Sequence, residues 1–264
     1  AENTSTEKIP HVPDHVMVRQ IGKGAYGEVW LARNVLGGYR GVKIVQRAAF
    51  SDNRPFLREF EGIQRFEPIS RSHPGFVGIL HVARNAIEDC FYYIMEIADD
   101  TVHQQNIQGG SYRPRSLSGD IDRHGKLPVL ECIHLGIALI DGLGHLHRHG
   151  LVHRDIKPSN IIYIHGTPRL ADIGMVATAG EELSGVGTPG FIPKEGPGSP
   201  RADIFALGRV LYRAATGNRV GEFPCLPTCV VEDQDWPRFA RLNSIILKAC
   251  AEEASDRYQT CDEL

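Results

Sequence analysis

The chain has 264 residues, 42% of them hydrophobic and 23% charged, with a formal net charge of −3 from 29 Lys and Arg against 32 Asp and Glu. That composition suits a globular protein with one large core or two tightly joined ones, and the even charge balance gives no reason to expect nucleic acid as a partner. Six cysteines stand at 90, 132, 225, 229, 250 and 261. A chain this rich in core residues needs no staples, and the single close pair, Cys225 and Cys229, lacks the second pair a zinc site would want, so reduced thiols are expected.

The first 15 residues are polar and carry prolines, and read as a loose leader. Residues 16–21 alternate as a strand, a glycine-rich turn follows, and residues 29–33 read as a second strand. A turn at Gly37-Gly38 leads to a third strand over 41–45. Phe56, Phe60, Ile63 and Phe66 recur at helical spacing, and residues 76–83 and 91–97 read as two more strands. Residues 100–125 are polar and rich in Gly and Arg, a connecting segment with one short helix. From Val129 the pattern is helical, with a stripe of Ile133, Ile137, Ile140 and Leu143, then helices over 200–216 and 236–251. The longest apolar stretch, 133–146, is broken by Gly136, Asp141 and Gly142, so no membrane contact is expected of this segment. The last residues, Cys261-Asp262-Glu263-Leu264, read as a helix cut short, as in a segment of a longer protein. Strands first and helices after indicate an α+β protein in two lobes, one over about 16–97 and one over about 98–264.

Chemistry begins at Gly22-Lys23-Gly24-Ala25-Tyr26-Gly27. Glycines at this spacing let backbone N–H groups approach phosphate oxygens. The same spacing marks dinucleotide sites, but there the third glycine opens a helix; here Glu28-Val29-Trp30-Leu31-Ala32 continues as a strand, as in a hairpin lid. Lys43 stands between Val42 and Ile44 in the third strand, where a buried ammonium needs a partner. Glu59 on the next helix is the candidate, with Glu61 as rival; Glu59 shares the apolar face of Ile63. Taken singly, a snorkelling lysine and a solvated glutamate are the plainer reading. His153-Arg154-Asp155-Ile156-Lys157-Pro158-Ser159-Asn160 packs an acid, a base and an amide into one short loop, and Leu170-Ala171-Asp172-Ile173-Gly174 adds a second carboxylate after a strand. Phosphoryl transfer asks for this set: a carboxylate near the attacking hydroxyl, a positive charge by the transferring group, and oxygen ligands for a metal.

These residues, in this order, resemble the eukaryotic-type protein serine/threonine kinase family, most of all its bacterial members, over nearly the whole chain. The resemblance implies a bilobal protein-kinase-like fold: a five-stranded antiparallel sheet with one main helix, then a mainly helical lobe. It implies ATP and Mg²⁺, or Mn²⁺ in its place, and transfer of the γ-phosphoryl group to Ser or Thr of a protein substrate. By the same resemblance, Asp155, Lys157, Lys43 and Glu59 are catalytic, and Asn160 and Asp172 hold metal. The nucleotide set is Gly22, Lys23, Gly24, Ala25, Gly27, Val29, Gly41, Lys43, Met95, Glu96, Ala98 and Ile162. Lys157, two residues after the aspartate, matches the serine/threonine branch. Thr188, in the Gly187–Ile192 stretch, resembles the loop that receives protein substrate. Glu195, Asp203 and Arg257 resemble the glutamate, helix aspartate and arginine that brace the catalytic loop and pair across the second lobe.

Three positions depart from the family pattern. Ile173 replaces the phenylalanine after the metal aspartate, Lys194 replaces a proline before Glu195, and Gly41 stands where an alanine usually touches adenine. The missing methyl is worth at most about 0.8 kcal/mol of apolar contact. A binding or scaffold module on the same fold, a pseudokinase, is the alternative function; the filled polar positions Lys43, Glu59, Asp155, Asn160 and Asp172 speak against it. Arg154 before the catalytic aspartate implies control by phosphorylation of the segment 175–186, with Ser184 favoured over Thr178; Glu181 or Glu182 meeting Arg154 is the competing account. The domain is expected in the cytoplasm, whether or not the parent protein is membrane-anchored, and dimerisation is compatible with the resemblance.

Overall fold

In the computed structural model the described residues are 11–24, 27–172, 187–228 and 235–264, with 177–178 described by backbone alone. Five strands, β1 (His15–Lys23), β2 (Glu28–Asn34), β3 (Tyr39–Gln46), β4 (Ile79–Asn85) and β5 (Cys90–Met95), form one antiparallel sheet in the order β1-β2-β3-β5-β4. β1 is one of the two edge strands and for most of its length alternates half-buried and exposed residues. β5, inside the sheet, is buried almost throughout. Helix α1 (Asn53–Ser72) covers one face of the sheet, and the Asp52 side chain caps it by accepting from the Arg54 N–H. Phe56, Glu59, Ile63 and Phe66 are its buried residues, a spacing of three and four that turns one side to the sheet. Phe56 and Phe60 meet Phe91 of β5 at ring-centroid distances of 5.2 and 5.3 Å. A smaller core of Val12, Ala32, Val42, Ile44, Tyr92 and Ile94 closes the opposite face.

The second lobe is built from α2 (Leu117–His124), α3 (Val129–Arg148), α4 (Pro200–Thr216) and α5 (Trp236–Ala249). Short ladders lie between α3 and α4: β6 (Leu151–Val152) with β9 (Ala177–Thr178), and β7 (Ile161–Ile164) with β8 (Thr167–Leu170). α4 starts on a Ser199 cap, ends at Gly217 in the left-handed region (φ 75°), and is buried along most of its length. The larger apolar core runs without a break from Phe56 and Phe91 in the first lobe to Leu143, Leu207 and Phe239 in the second.

The lobes are pinned together by the link between α1 and β4. There Gly75 lies directly on Gly142 of α3: a Cβ on Gly75 would stand 2.8 Å from the Gly142 Cα. The Leu170 N–H donates to the Gly75 carbonyl at 2.8 Å, and the Val77 N–H to the Leu170 carbonyl at 3.1 Å.

The fold is the expected α+β two-lobed one, and most elements lie within a few residues of their sequence-based positions. Two readings change. Residues 261–263 form a turn rather than a helix. α3, with 20 residues and a mean hydropathy of 1.5, has the length and apolarity of a membrane-crossing helix despite its interruptions; half of that stretch is buried inside the protein, where it packs against α4 and β8.

Candidate active site

The cleft between the lobes is roofed by the β1–β2 turn. The Gly24 N–H donates to the Gly27 carbonyl at 2.9 Å and closes the hairpin. Gly27 admits no side chain, since a Cβ there would stand 2.4 Å from the Ile44 carbonyl oxygen of β3. At Gly22 and Gly24 a Cβ would stand 3.6 Å from the Val29 Cβ and 3.8 Å from the Gly27 carbonyl oxygen, ordinary contacts, so of these three glycines Gly27 is the one the packing demands. Lys23 points outward and pairs with Glu28 at 3.1 Å. Ala25 and Tyr26 lie outside the described residues.

Below the turn, β3 places Lys43 opposite Val29 of β2 and Tyr93 of β5. Its buried Nζ lies 2.6 Å from Asp172 Oδ1 and 3.8 Å from Glu59 Oε1, so Asp172 is the nearer partner. Burial alone would favour the neutral amine, but the Tyr93 side chain and the Asp172 and Glu59 carboxylates outweigh it and hold the ammonium charged well above the usual lysine range. Glu59, rather than the exposed Glu61, faces this lysine. Glu59 Oε1 is buried without a hydrogen bond, and burial together with the Asp172 charge pushes its carboxyl up to about 7 against the pull of Lys43. At 3.8 Å, with its nearer contact on Asp172, Lys43 pulls too weakly on Glu59 to cancel its burial. The Asp172 carboxyl is correspondingly held below its ordinary range, chiefly by the Lys43 charge.

The catalytic loop hangs from Asp203, a buried carboxylate in the first turn of α4. It accepts from the His153 N–H (2.8 Å), the Arg154 N–H (2.9 Å) and His147 Nε2 (2.9 Å). Arg154 is held in the left-handed region (φ 71°), as is Asp172 (φ 54°). Non-glycine residues there cost on the order of 1–3 kcal/mol each and survive where surrounding bonds over-determine them. Around Asp155 the bonds converge: Lys157 Nζ lies 2.7 Å from Oδ2, Asn160 Nδ2 donates to Oδ2 at 2.9 Å, and the Thr188 hydroxyl donates to Oδ1 at 2.8 Å. Lys157 Nζ also donates to Thr188 Oγ1 at 2.9 Å. With its amide nitrogen committed to Asp155, Asn160 has its oxygen left for a metal. That oxygen and the half-exposed Asp172 carboxylate are hard donors that suit Mg²⁺ or Mn²⁺. The residues therefore fit a divalent ion.

At the rear, Met95 lies opposite Gly41, and a Cβ on Gly41 would stand 3.1 Å from the Met95 side chain. Met95 thus packs directly on Gly41, where an alanine methyl would be crowded. The Glu96 N–H is bonded to the Gly78 carbonyl (3.0 Å), and its carboxylate accepts from the Gly78 N–H (2.8 Å) and from Arg169 (2.6 Å), leaving the Glu96 carbonyl as the group to face a base. Ile162 is half-buried on β7, and the Ala98 carbonyl accepts from Tyr112. Arg169 and His147 did not emerge from the sequence; Arg169 has only its position three before Asp172 as a signal, and His147 only its place at the end of α3.

Beyond the cleft, Arg257 donates to both oxygens of Glu195. Lys194, in place of a proline, pairs with Glu252 and Glu253 on the same side. Ile173, Gly174 and Ser184 lie outside the described residues, and Thr178 is described only as backbone paired with Leu151.

Compared with known families, residues 15–224 match the protein kinase domain. The chain belongs to the protein kinase family. Among curated kinases it is similar to the serine/threonine-protein kinase PknK of Mycobacterium tuberculosis, 30% identical over 83% of this chain and 20% of that protein. It is also similar to PrkC of Bacillus subtilis, 25% identical over 94% of this chain and 39% of that protein. The DNA damage-responsive serine/threonine-protein kinase RqkA of Deinococcus radiodurans is 30% identical over 75% of this chain and 29% of that protein. The matched chain spans a fifth to two-fifths of these relatives' lengths. The crystal structure of the M. tuberculosis PknI kinase domain superposes with a TM-score of 0.66 at 23% identity, covering 95% of this chain and 92% of that one, which supports the kinase fold. Kinase-family membership implies use of ATP and a divalent metal, and a protein as substrate.

Proposed function

We propose that this chain is the catalytic domain of an ATP-dependent protein serine/threonine kinase, with lobes over about 16–97 and 98–264. The observation that carries the proposal is the Asp155–Lys157–Thr188 triangle beside Asn160 and Asp172. The Thr188 hydroxyl has the geometry in which an aliphatic alcohol meets this carboxylate. In the proposed reaction Asp155 orients a substrate Ser or Thr hydroxyl and accepts its proton. Lys157 sets a positive charge beside the transferring phosphoryl group, and Lys43 contacts the inner phosphates. Asn160 and Asp172 hold Mg²⁺, which when bound offsets negative charge on the phosphates. The Glu96 carbonyl and the Ala98 N–H face the adenine, with Met95 guarding the rear and Val29 and Ile162 to either side. The complete polar set, with Lys43 bonded to Asp172 and Asp155 bonded to Lys157, Asn160 and Thr188, favours an active enzyme over a scaffold of the same fold.

The test is phosphate transfer from labelled ATP, with Mg²⁺, to a generic basic protein. Asp155→Asn should lower the rate by about a hundredfold or more, the usual worth of a general base, while nucleotide affinity stays near wild type. A variant that transfers phosphate at the wild-type rate rules out Asp155 as the base; a wild type that binds nucleotide but never transfers it favours the scaffold.

A further inference from the structure

Residues 99–116, between the hinge and α2, take no part in the proposed chemistry, yet they are built with care. Asp100 stands at the centre and is buried: Oδ1 accepts from the N–H groups of Val102 (2.8 Å) and His103 (2.9 Å), and Oδ2 from that of Arg113 (3.0 Å). Its backbone pairs with Gln104 and Pro114. Fully buried Tyr112 donates to the Ala98 carbonyl at 3.0 Å, which fastens the base of the segment to the hinge. Arg115 lies 4.2 Å over the Tyr163 ring and pairs with Asp120 at 2.8 Å, which fastens it to the second lobe.

The tip reaches the other lobe. Arg19 of β1 donates from Nη1 to the Gly110 carbonyl at 3.2 Å. Gly109 lies so close to the sheet that a Cβ there would stand 2.8 Å from Tyr39 Oη and 3.3 Å from Val18 Cγ1. Val18 and Arg19 precede Gly22 by four and three residues, so the strand being gripped is the one that leads into the glycine-rich turn. From this we infer that residues 99–116 form a clasp between the lobes, which restrains the glycine-rich turn and slows the departure of nucleotide from the cleft. Because the Asp100 bonds order the segment in advance, closing it onto β1 forfeits little conformational freedom. The role in nucleotide release rests on the ATP site proposed above.

The glycine pair supplies the experiment. A Cβ on Gly110 would meet nothing within 4 Å, one on Gly109 would push the Tyr39 hydroxyl and Val18 aside, and neither glycine has a positive φ, so a substitution loosens the contact at 109 and is free at 110. Gly109→Val and Gly110→Val are compared for release of a fluorescent ATP analogue by stopped flow, and for amide exchange over residues 104–112 and β1. Arg19→Ala gives a second way to free the tip should Gly109→Val fold poorly. Gly109→Val and Arg19→Ala should release nucleotide about two- to tenfold faster, the worth of a lost hydrogen bond and its packing, and lose protection over 104–112. Gly110→Val should match wild type in both. Wild-type release from both clasp variants, or equal acceleration by Gly110→Val, overturns the clasp. If the wild type binds no nucleotide, the proposed function fails and the contact is judged on exchange alone: protection lost in Gly109→Val and kept in Gly110→Val supports it, and equal protection in all three overturns it.

Discussion

Arg257→Ala removes a heavily bonded side chain of the second lobe. The Arg257 side chain is fully buried, donates to both oxygens of Glu195, gives Nε to the Ala251 carbonyl (2.7 Å) and Nη2 to the Glu252 carbonyl (2.8 Å), and lies 4.8 Å from the Phe205 ring. Breaking a buried ion pair from one side costs about 3–5 kcal/mol. The Glu195 side chain is 33% exposed, so water reaches the abandoned carboxylate and the lower end, about 3 kcal/mol, applies. At about 2–4 °C per kcal/mol for a domain of this size, Tm should fall by about 6–12 °C in a thermal melt followed by circular dichroism. A pH series adds a second check. Burial works to raise the Glu195 carboxyl, but the Arg257 hydrogen bond, a backbone N–H and the guanidinium charge prevail and hold it below its ordinary value. A depressed carboxyl stabilises the fold above its unfolded value, about 4.3, and that gain is lost as pH falls through the folded value; the gap between wild type and variant should therefore narrow below about pH 4. A Tm within about 2 °C of wild type near neutral pH, where the rule of about 2–4 °C per kcal/mol leaves under 1 kcal/mol, refutes the reasoning.

Asp172→Ala removes both the nearer partner of Lys43 and the carboxylate proposed to hold Mg²⁺, so nucleotide affinity should lose its dependence on Mg²⁺; an unchanged Mg²⁺ titration in calorimetry contradicts the assignment. Glu59, pushed up to about 7, is a raised carboxyl whose burial is tolerated at low pH and penalised as pH rises through 7. The nucleotide-free wild type should thus lose up to about 3 kcal/mol between pH 5 and 8 relative to Glu59→Gln, and a flat difference in denaturant unfolding over that window argues against it. Phosphopeptide mapping of active protein should find Ser184 modified, and Ser184→Ala should lower activity more than Thr178→Ala; full activity in both variants with neither site modified moves the control of Arg154 to Glu181 or Glu182.

The catalytic loop was legible because its chemistry is local: His153 through Asn160 are eight consecutive residues, and a loop that short brings Asp155, Lys157 and Asn160 together whatever surrounds it. The face of α1 was legible for a similar reason, since periodicity alone sets Glu59 beside Ile63 and Glu61 outside. The clasp was not. Its residues are polar, and polarity reads as a linker; its order comes from one buried carboxylate that collects three backbone N–H groups, and the sole hint was an aromatic, Tyr112, amid Gly, Ser and Arg. The packing of Met95 on Gly41 was also hidden, because the two are 54 residues apart and meet only through strand register. His147 could not be read as a support of the catalytic loop, because its partner Asp203 comes 56 residues later.

The contact of Gly75 with Gly142 has a mechanical consequence. Two backbones touch there with no side chain between them, so no change of rotamer can absorb a displacement, and the contact resists sliding of the first lobe along the second. Rotation about that point disturbs the contact least. β4 leaves the pivot directly, and β1 lies at the opposite edge of the sheet, so on any opening the glycine-rich turn sweeps the longest arc while Phe76 and Leu170 scarcely move. A restraint placed on β1 therefore acts at the end of the longest lever, where a contact of one hydrogen bond and one glycine can resist a motion that a much larger interface near the pivot could not.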